Sequence, residues 1–236
     1  VAGRRVAEHP AFGLRPAFLA SLLARARAEA AKGRFGTAES LARDAALADP
    51  SPESAELLGL ILVRQRRYRE AAALFERVLA AAPARWPAWN GLGESLAGLG
   101  DSERAAEAFR RARDAAPDVV APRMNLAEVL AAADRGSEAV TELEAILIRD
   151  PAHASALARL GSIHHRQGTY AAAARCFDRL ARLEPGRAEA WAGLGAALQM
   201  GGDLEAARNA YERALAVDPA QADALYNLGT VWQGLR

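Results

Sequence analysis

Hydrophobic residues return along this chain in two alternating stripes. Trp89, Leu92, Gly93 and Leu96 fall on one face of a helix, and Ala105, Phe109 and Ala112 on one face of the next, with polar residues between them. Gly100-Asp101, Gly168-Thr169 and Gly202-Asp203 stand between such stripes; glycine can end one helix there, and Asp or Thr can cap the one that follows. The pattern predicts helix, tight turn, helix, then a proline-bearing loop. That unit recurs: Pro50, Pro83, Pro117, Pro151, Pro185 and Pro219 lie 33 residues apart once and 34 apart four times. Asp49, Asp150 and Asp218 directly before proline reinforce the second break, because a residue before proline is driven out of the helical region. A fixed period of this kind marks a solenoid of helical pairs.

Alignment on the prolines exposes columns. Leu58, Leu92, Leu126, Leu160, Leu194 and Leu228 each precede a small residue, which is Gly59, Gly93, Ala127, Gly161, Gly195 or Gly229. An alanine recurs at 38, 71, 105, 139, 173 and 207, and four residues after it come Phe75, Phe109, Leu143, Phe177 and Tyr211, with Ala42 in the first unit. Small residues on facing helices let the backbones approach while the aromatic ring fills the space alongside. A bulky side chain at Gly195 or Ala207 is therefore expected to overpack the contact, at about 1–3 kcal/mol.

These columns closely resemble the tetratricopeptide repeat. Trp89, Leu92, Gly93, Leu96, Gly100, Ala105, Phe109, Ala112 and Pro117 carry nearly the whole pattern, and residues 191–219 repeat it. Arg123 departs from it, standing where a large apolar residue is usual. The resemblance implies an all-α fold: an α-solenoid of antiparallel helix pairs stacked into a right-handed superhelix. It divides the chain into an N-terminal extension with the start of a first helix (1–18), six repeats (19–221) and a terminal helix (222–236). A helix is expected to begin near Pro16. At the other end Leu225, Leu228, Trp232 and Leu235 form an apolar stripe, and Gly229 is the close-approach residue for a further second helix. The expectation is that the chain was cut from something longer.

About a quarter of the residues are alanine, the best helix former. Charged residues nearly balance at a net +1, which argues against a dedicated binder of nucleic acid or of anionic membranes. No apolar run approaches the ~18 residues of a membrane helix. Cys176 is the single cysteine, so no internal disulfide forms; a reducing, cytoplasmic setting fits.

Little in the sequence suggests chemistry. Gly91-Leu92-Gly93 and Gly193-Leu194-Gly195 lie inside helical repeats with no preceding strand, so they read as packing glycines and not as phosphate loops. His164 and His165 are neighbours on one helix and diverge by about 100°, a poor metal pair. No catalytic residue, cofactor or metal is expected, and the chain reads as a non-enzyme.

In the resembling family the first helix of each pair lines a concave groove that holds an extended peptide. Carried over, the groove candidates begin with Leu23, Arg27, Glu56, Leu57, Leu60 and Arg64. Asn90, Glu94, Asn125 and Glu128 follow in the middle, then Arg159, Ser162, His165 and Arg166, then Gln199, Tyr226, Asn227 and Thr230. The resemblance thus implies a non-catalytic scaffold whose partner is a protein or extended peptide, held in a groove acidic in the middle and basic after it. The alternative is the substrate-recruiting region of a larger enzyme, of glycosyltransferase or sulfotransferase type, with its catalytic domain beyond Arg236. Self-association through the terminal helix is a third reading.

Overall fold

Why each predicted stripe becomes a helix is visible in the computed structural model, which describes residues 15–235. Every described element is an α-helix. The chain divides into two compact units, residues 1–122 and 123–236. In the first lie α1 (Arg15–Ala31), α2 (Phe35–Ala48), α3 (Pro52–Arg64), α4 (Tyr68–Ala81), α5 (Trp86–Gly98) and α6 (Ser102–Ala115). The second holds most of α7 (Val120–Ala132), then α8 (Gly136–Arg149), α9 (Ala154–Arg166), α10 (Tyr170–Leu183), α11 (Ala188–Met200), α12 (Leu204–Val217) and α13 (Ala222–Gly234). Residues 1–14, where most of the expected N-terminal extension falls, lie outside the described residues.

In the first unit each helix from α1 to α6 packs on the next, as does each from α8 to α13 in the second, and alternate helices also touch: α1 on α3 and α3 on α5 in the first unit, α9 on α11 and α11 on α13 in the second. The first helix of one pair thus lies beside the first helix of the next, which is the α-solenoid arrangement. The alanine column makes this possible, since Ala38, Ala71, Ala105, Ala139, Ala173 and Ala207 are all fully buried. Between them sit the large groups. The Phe75 ring lies directly beneath Gly59 of its own pair and Gly91 of the next, and the Phe177 ring does the same beneath Gly161 and Gly193. One ring so fastens two pairs together, and burying it contributes about 1.5–3 kcal/mol.

Tryptophan ties the same junctions to the proline loops. Trp89 donates its indole N–H to the Pro83 carbonyl at 2.8 Å, and Trp191 donates to that of Pro185 at 3.0 Å. Arg111 and Arg213 lie over the two indole faces, 5.1 and 5.6 Å from the ring centroids. At Arg123 the indole is missing, and the guanidinium reaches Glu142 on α8 at 2.7 Å instead.

The turns inside the pairs share one conformation. Gly33, Arg66, Gly100, Asp134, Gly168 and Gly202 all have positive φ, between 57° and 88°. Four are glycine, which adopts this region freely; Arg66 and Asp134 hold it against steric cost. Asp101 and Asp203 cap α6 and α12 through the backbone N–H groups of Arg104 and Ala206. Thr169 does not cap α10. Its hydroxyl turns back to the His164 carbonyl at 3.0 Å and meets His164 Nδ1 at 2.9 Å, so it closes the end of α9.

The apolar stripe of α13 is rotated from the expected one. Ala224 and Val231 are buried, with Leu228 and Leu235 packed beside them, whereas Leu225 and Trp232 are about half exposed. The contacts with α11 and α12 set that face; Trp232 instead lies under Arg208, 5.6 Å away.

Candidate functional site

Of the expected groove residues, the first unit holds Asn90 and Glu94 on α5, one helical turn apart. Asn90 is 8% exposed, and its amide donates to Glu94 Oε1 at 2.8 Å, so the pair is partly committed to its own helix. Toward the N-terminus the structure corrects the expectation. Leu23 and Leu57 are buried in the packing between helices, and Glu56 is held by Arg85 Nε and Nη2 at 2.5 and 2.8 Å. Glu56 pulls the Arg85 guanidinium above its ordinary value, and this bond ties the α5 loop to α3. A depression of about 740 Å³ lies along α2 and α4 beside Leu47 and Leu74, and contains none of the designated residues.

In the second unit several of them converge. The first helices α7 and α9 frame a groove of about 340 Å³ whose floor includes Ala127, Ala131 and Ala158. Glu128 and Arg159 face each other there in an ion pair of 2.6 Å, and Ser162 and Arg166 complete the wall. Ser162 donates to the Ala158 carbonyl at 3.0 Å, which leaves its oxygen free to accept. Ala158 and Ser162 also line a second groove, of about 380 Å³, bounded by α9, α11 and α13. The Phe177 ring lies under its floor, where position 193 is a glycine whose Cβ would meet the ring. Asn227 stands at its far side.

Other designated residues are placed differently. His165 leans on the Tyr170 ring, edge to face with centroids 5.5 Å apart, and its buried Nδ1 has no hydrogen-bond partner. Asn125 is half-buried on α7, and Tyr226 is 75% exposed on α13; neither lines these two grooves. Residues not designated do line the second one: Arg187, Glu189 and Asp223. A signal for the two acids existed, since Glu189 and Asp223 are 34 residues apart and occupy one repeat position at the starts of α11 and α13.

The electrostatics of the unit offer no nucleophile. Burial pushes the Cys176 thiol up, and burial pushes the neighbouring His164 imidazole down, in a cleft of about 210 Å³ between them. A protonated, buried thiol is inert toward electrophiles at neutral pH. Among the described residues no three His, Cys, Asp or Glu side chains group as a metal site, and no helix is long and apolar enough to cross a membrane.

Comparison with solved structures finds the same architecture. Over 92% of this chain and 99% of the other, it superposes on the PilF protein of Pseudomonas aeruginosa with a TM-score of 0.75 at 16% identity. YrrB, described as a TPR protein with an unusual peptide-binding site, matches 79% of this chain over 96% of its own, at TM-score 0.67 and 18% identity. A MamA fragment from Desulfovibrio magneticus RS-1 matches 72% of this chain over 96% of its own, at 0.65 and 19%. At these identities the likeness is one of fold. No curated protein matches the chain in sequence. Sequence models of the tetratricopeptide repeat do match it, one over residues 56–120 and 166–208, a second over 96–163 and a third over 200–234. Those spans follow the helix pairs and the buried columns that bind each pair to its neighbour, and the chain belongs to the tetratricopeptide-repeat family.

Proposed function

We propose that this chain is a non-catalytic interaction scaffold that holds an extended segment of a partner protein against the first helices of its second unit. The observation that carries the reading is the pair of adjoining grooves, about 340 and 380 Å³, that share Ala158 and Ser162. Each is floored by alanine, glycine or a ring edge and walled by charged side chains, a combination that admits a backbone closely while leaving polar groups to orient it. Tetratricopeptide repeats serve in general as protein-interaction modules, and the structurally similar YrrB is described as binding peptide. A nearly neutral surface gives nucleic acid no electrostatic advantage.

The test is selection from a displayed library of random twelve-residue peptides on the immobilised chain. Enrichment of a peptide set by the wild type, and its loss in Ala158→Trp with unchanged helicity, is the expected result. Leu47→Ala, on the depression along α2 and α4, should enrich the same set as wild type. Equal enrichment by Ala158→Trp would place binding elsewhere and reject the reading.

A further inference from the structure

The two grooves of the second unit carry opposite charge. The α7/α9 groove is lined by Glu128, Arg159 and Arg166. Glu128 and Arg159 neutralise one another at 2.6 Å, so its surplus is Arg166, an exposed guanidinium at the last residue of α9. The adjoining groove is lined by Arg187, Glu189 and Asp223. Arg187 is held 2.8 Å from Glu184 and only 3.9 Å from Glu189, so Glu189 and Asp223 leave it negative. Both acids are exposed and stand in the first turns of α11 and α13.

We propose that the preferred occupant is an extended peptide segment bearing one acidic and one basic side chain about six residues apart, the acid at Arg166 and the base between Glu189 and Asp223. This rests on the groove reading above and adds the partner's chemistry to it. The spacing follows from the repeat. Glu189 is one 34-residue period beyond position 155, eleven residues before Arg166 along the common helix direction. At about 1.5 Å per residue that is roughly 16 Å along the axis, and neighbouring helices stand about 9 Å apart. The diagonal is roughly 20 Å, which about six residues of extended chain span at ~3.3 Å each. Between the charges the segment crosses Ala158, Ser162 and Phe177, where small or apolar side chains fit and the Ser162 oxygen accepts a backbone N–H.

Polarity makes the claim testable without knowing the natural partner. The probes are fluorescein-labelled twelve-residue peptides of alanine and serine carrying Glu and Arg six positions apart, in both orders, with doubly acidic and doubly basic controls. Anisotropy titration of the full chain in about 25 mM salt should favour one mixed order about five-fold over the other and over both controls, with the preference shrinking in 300 mM salt. In Arg166→Glu/Glu189→Arg/Asp223→Arg the favoured order should invert, because the first groove then carries the negative surplus and the second the positive one. Binding without an order preference, or no inversion, overturns the charge assignment; sensitivity of that binding to Ala158→Trp still leaves the groove itself standing. No binding of any probe at millimolar peptide overturns the proposal, and the peptide selection above then decides the groove independently.

Discussion

Arg123 donates from Nη1 to Glu142 Oε2 across 2.7 Å, joining α7 to α8 through an ion pair. In the repeat frame Arg123 stands where Trp89 and Trp191 stand, and Glu142 where Ala108 and Ala210 stand. Two columns have changed together: the residue that lost its indole gained a charge, and the small residue opposite became its counter-ion. Glu142 is 9% exposed, and Arg123 supplies a counter-charge to it there.

Removing only one member should therefore do more harm than removing both. Glu142→Ala leaves a guanidinium in a mostly buried site and is expected to cost about 2–4 kcal/mol. Arg123→Trp with Glu142→Ala installs the residues that α5/α6 and α11/α12 have at these two positions and should recover most of that loss. Urea unfolding of both variants and of the wild type checks it; a double variant as unstable as Glu142→Ala would contradict the account.

Glu39 fixes the first pair to the second and makes that junction acid-sensitive. Burial alone would raise its carboxyl, but hydrogen bonds from Gln65, Arg43 and Arg67 outweigh burial and bring it down to about 2. Gln65 Nε2 lies at 2.9 Å and Arg67 Nη1 at 2.8 Å, both from the turn between α3 and α4. A carboxylate depressed by folding stabilises the fold fully above its unfolded value near 4.5, and that stability is lost as pH falls from there toward 2. Glu39→Gln should cost roughly 1–3 kcal/mol at pH 7 and much less at pH 2. Hydrogen exchange of α2 and α3 amides at the two pH values, each against wild type, measures it.

How far the sequence was legible follows from which interactions repeat. Columns that recur every 34 residues, such as Ala105 and Ala207 or Phe109 and Tyr211, advertise their burial through repetition alone. Glu56 and Arg85 do not, because a bond 29 residues long occurs once and resembles two solvated charges in the sequence. Asn90 failed in the same way: its column promised the groove, but its amide found Glu94 one turn along the helix. Arg66 and Asp134 hid the common turn, since four glycines at that position announced a left-handed residue that two other side chains also adopt. Of the groove, the charges on α7 and α9 were foreseen by helix face, whereas those at the starts of α11 and α13 lay at helix ends, which the first-helix stripe does not mark.

The glycine column separates a helix face that is covered from one that is open. A Cβ at Gly93 would come within 2.6 Å of the buried Phe109 ring, whereas one at Gly229 meets nothing within 4 Å. Alanine raises helix propensity by about 1 kcal/mol at either site, so packing alone decides the sign. Gly93→Ala is expected to lower stability by about 1 kcal/mol, because the Phe109 ring, only 2% exposed, would have to shift within the core. Gly229→Ala should raise it by about 0.5–1 kcal/mol. Thermal melts of both variants check the contrast, and equal shifts would show that the close approach at Gly93 is not a constraint.

Tyr211 stands where three other pairs have phenylalanine, Phe75, Phe109 and Phe177, and its extra oxygen organises the last helix. The hydroxyl donates to Gln199 Oε1 at 2.8 Å; Gln199 Nε2 donates to Thr230 Oγ1 at 2.8 Å; Thr230 in turn donates to the Asn227 carbonyl at 2.7 Å. The chain links α12 through α11 to α13. Burial pushes the phenol up to about 12, against a smaller opposing effect of the nearby Asn227 side chain. A phenol held protonated by folding stabilises the fold below its unfolded value near 10, and that contribution disappears as pH rises from there toward 12. Tyr211→Phe should cost about 1 kcal/mol at pH 7. It should also speed amide exchange in α13 while leaving α9 and α10 unchanged, and remove the highest-pH step from the tyrosinate absorbance titration. Unchanged exchange in α13 would mean that this helix is held by Ala224 and Val231 packing alone.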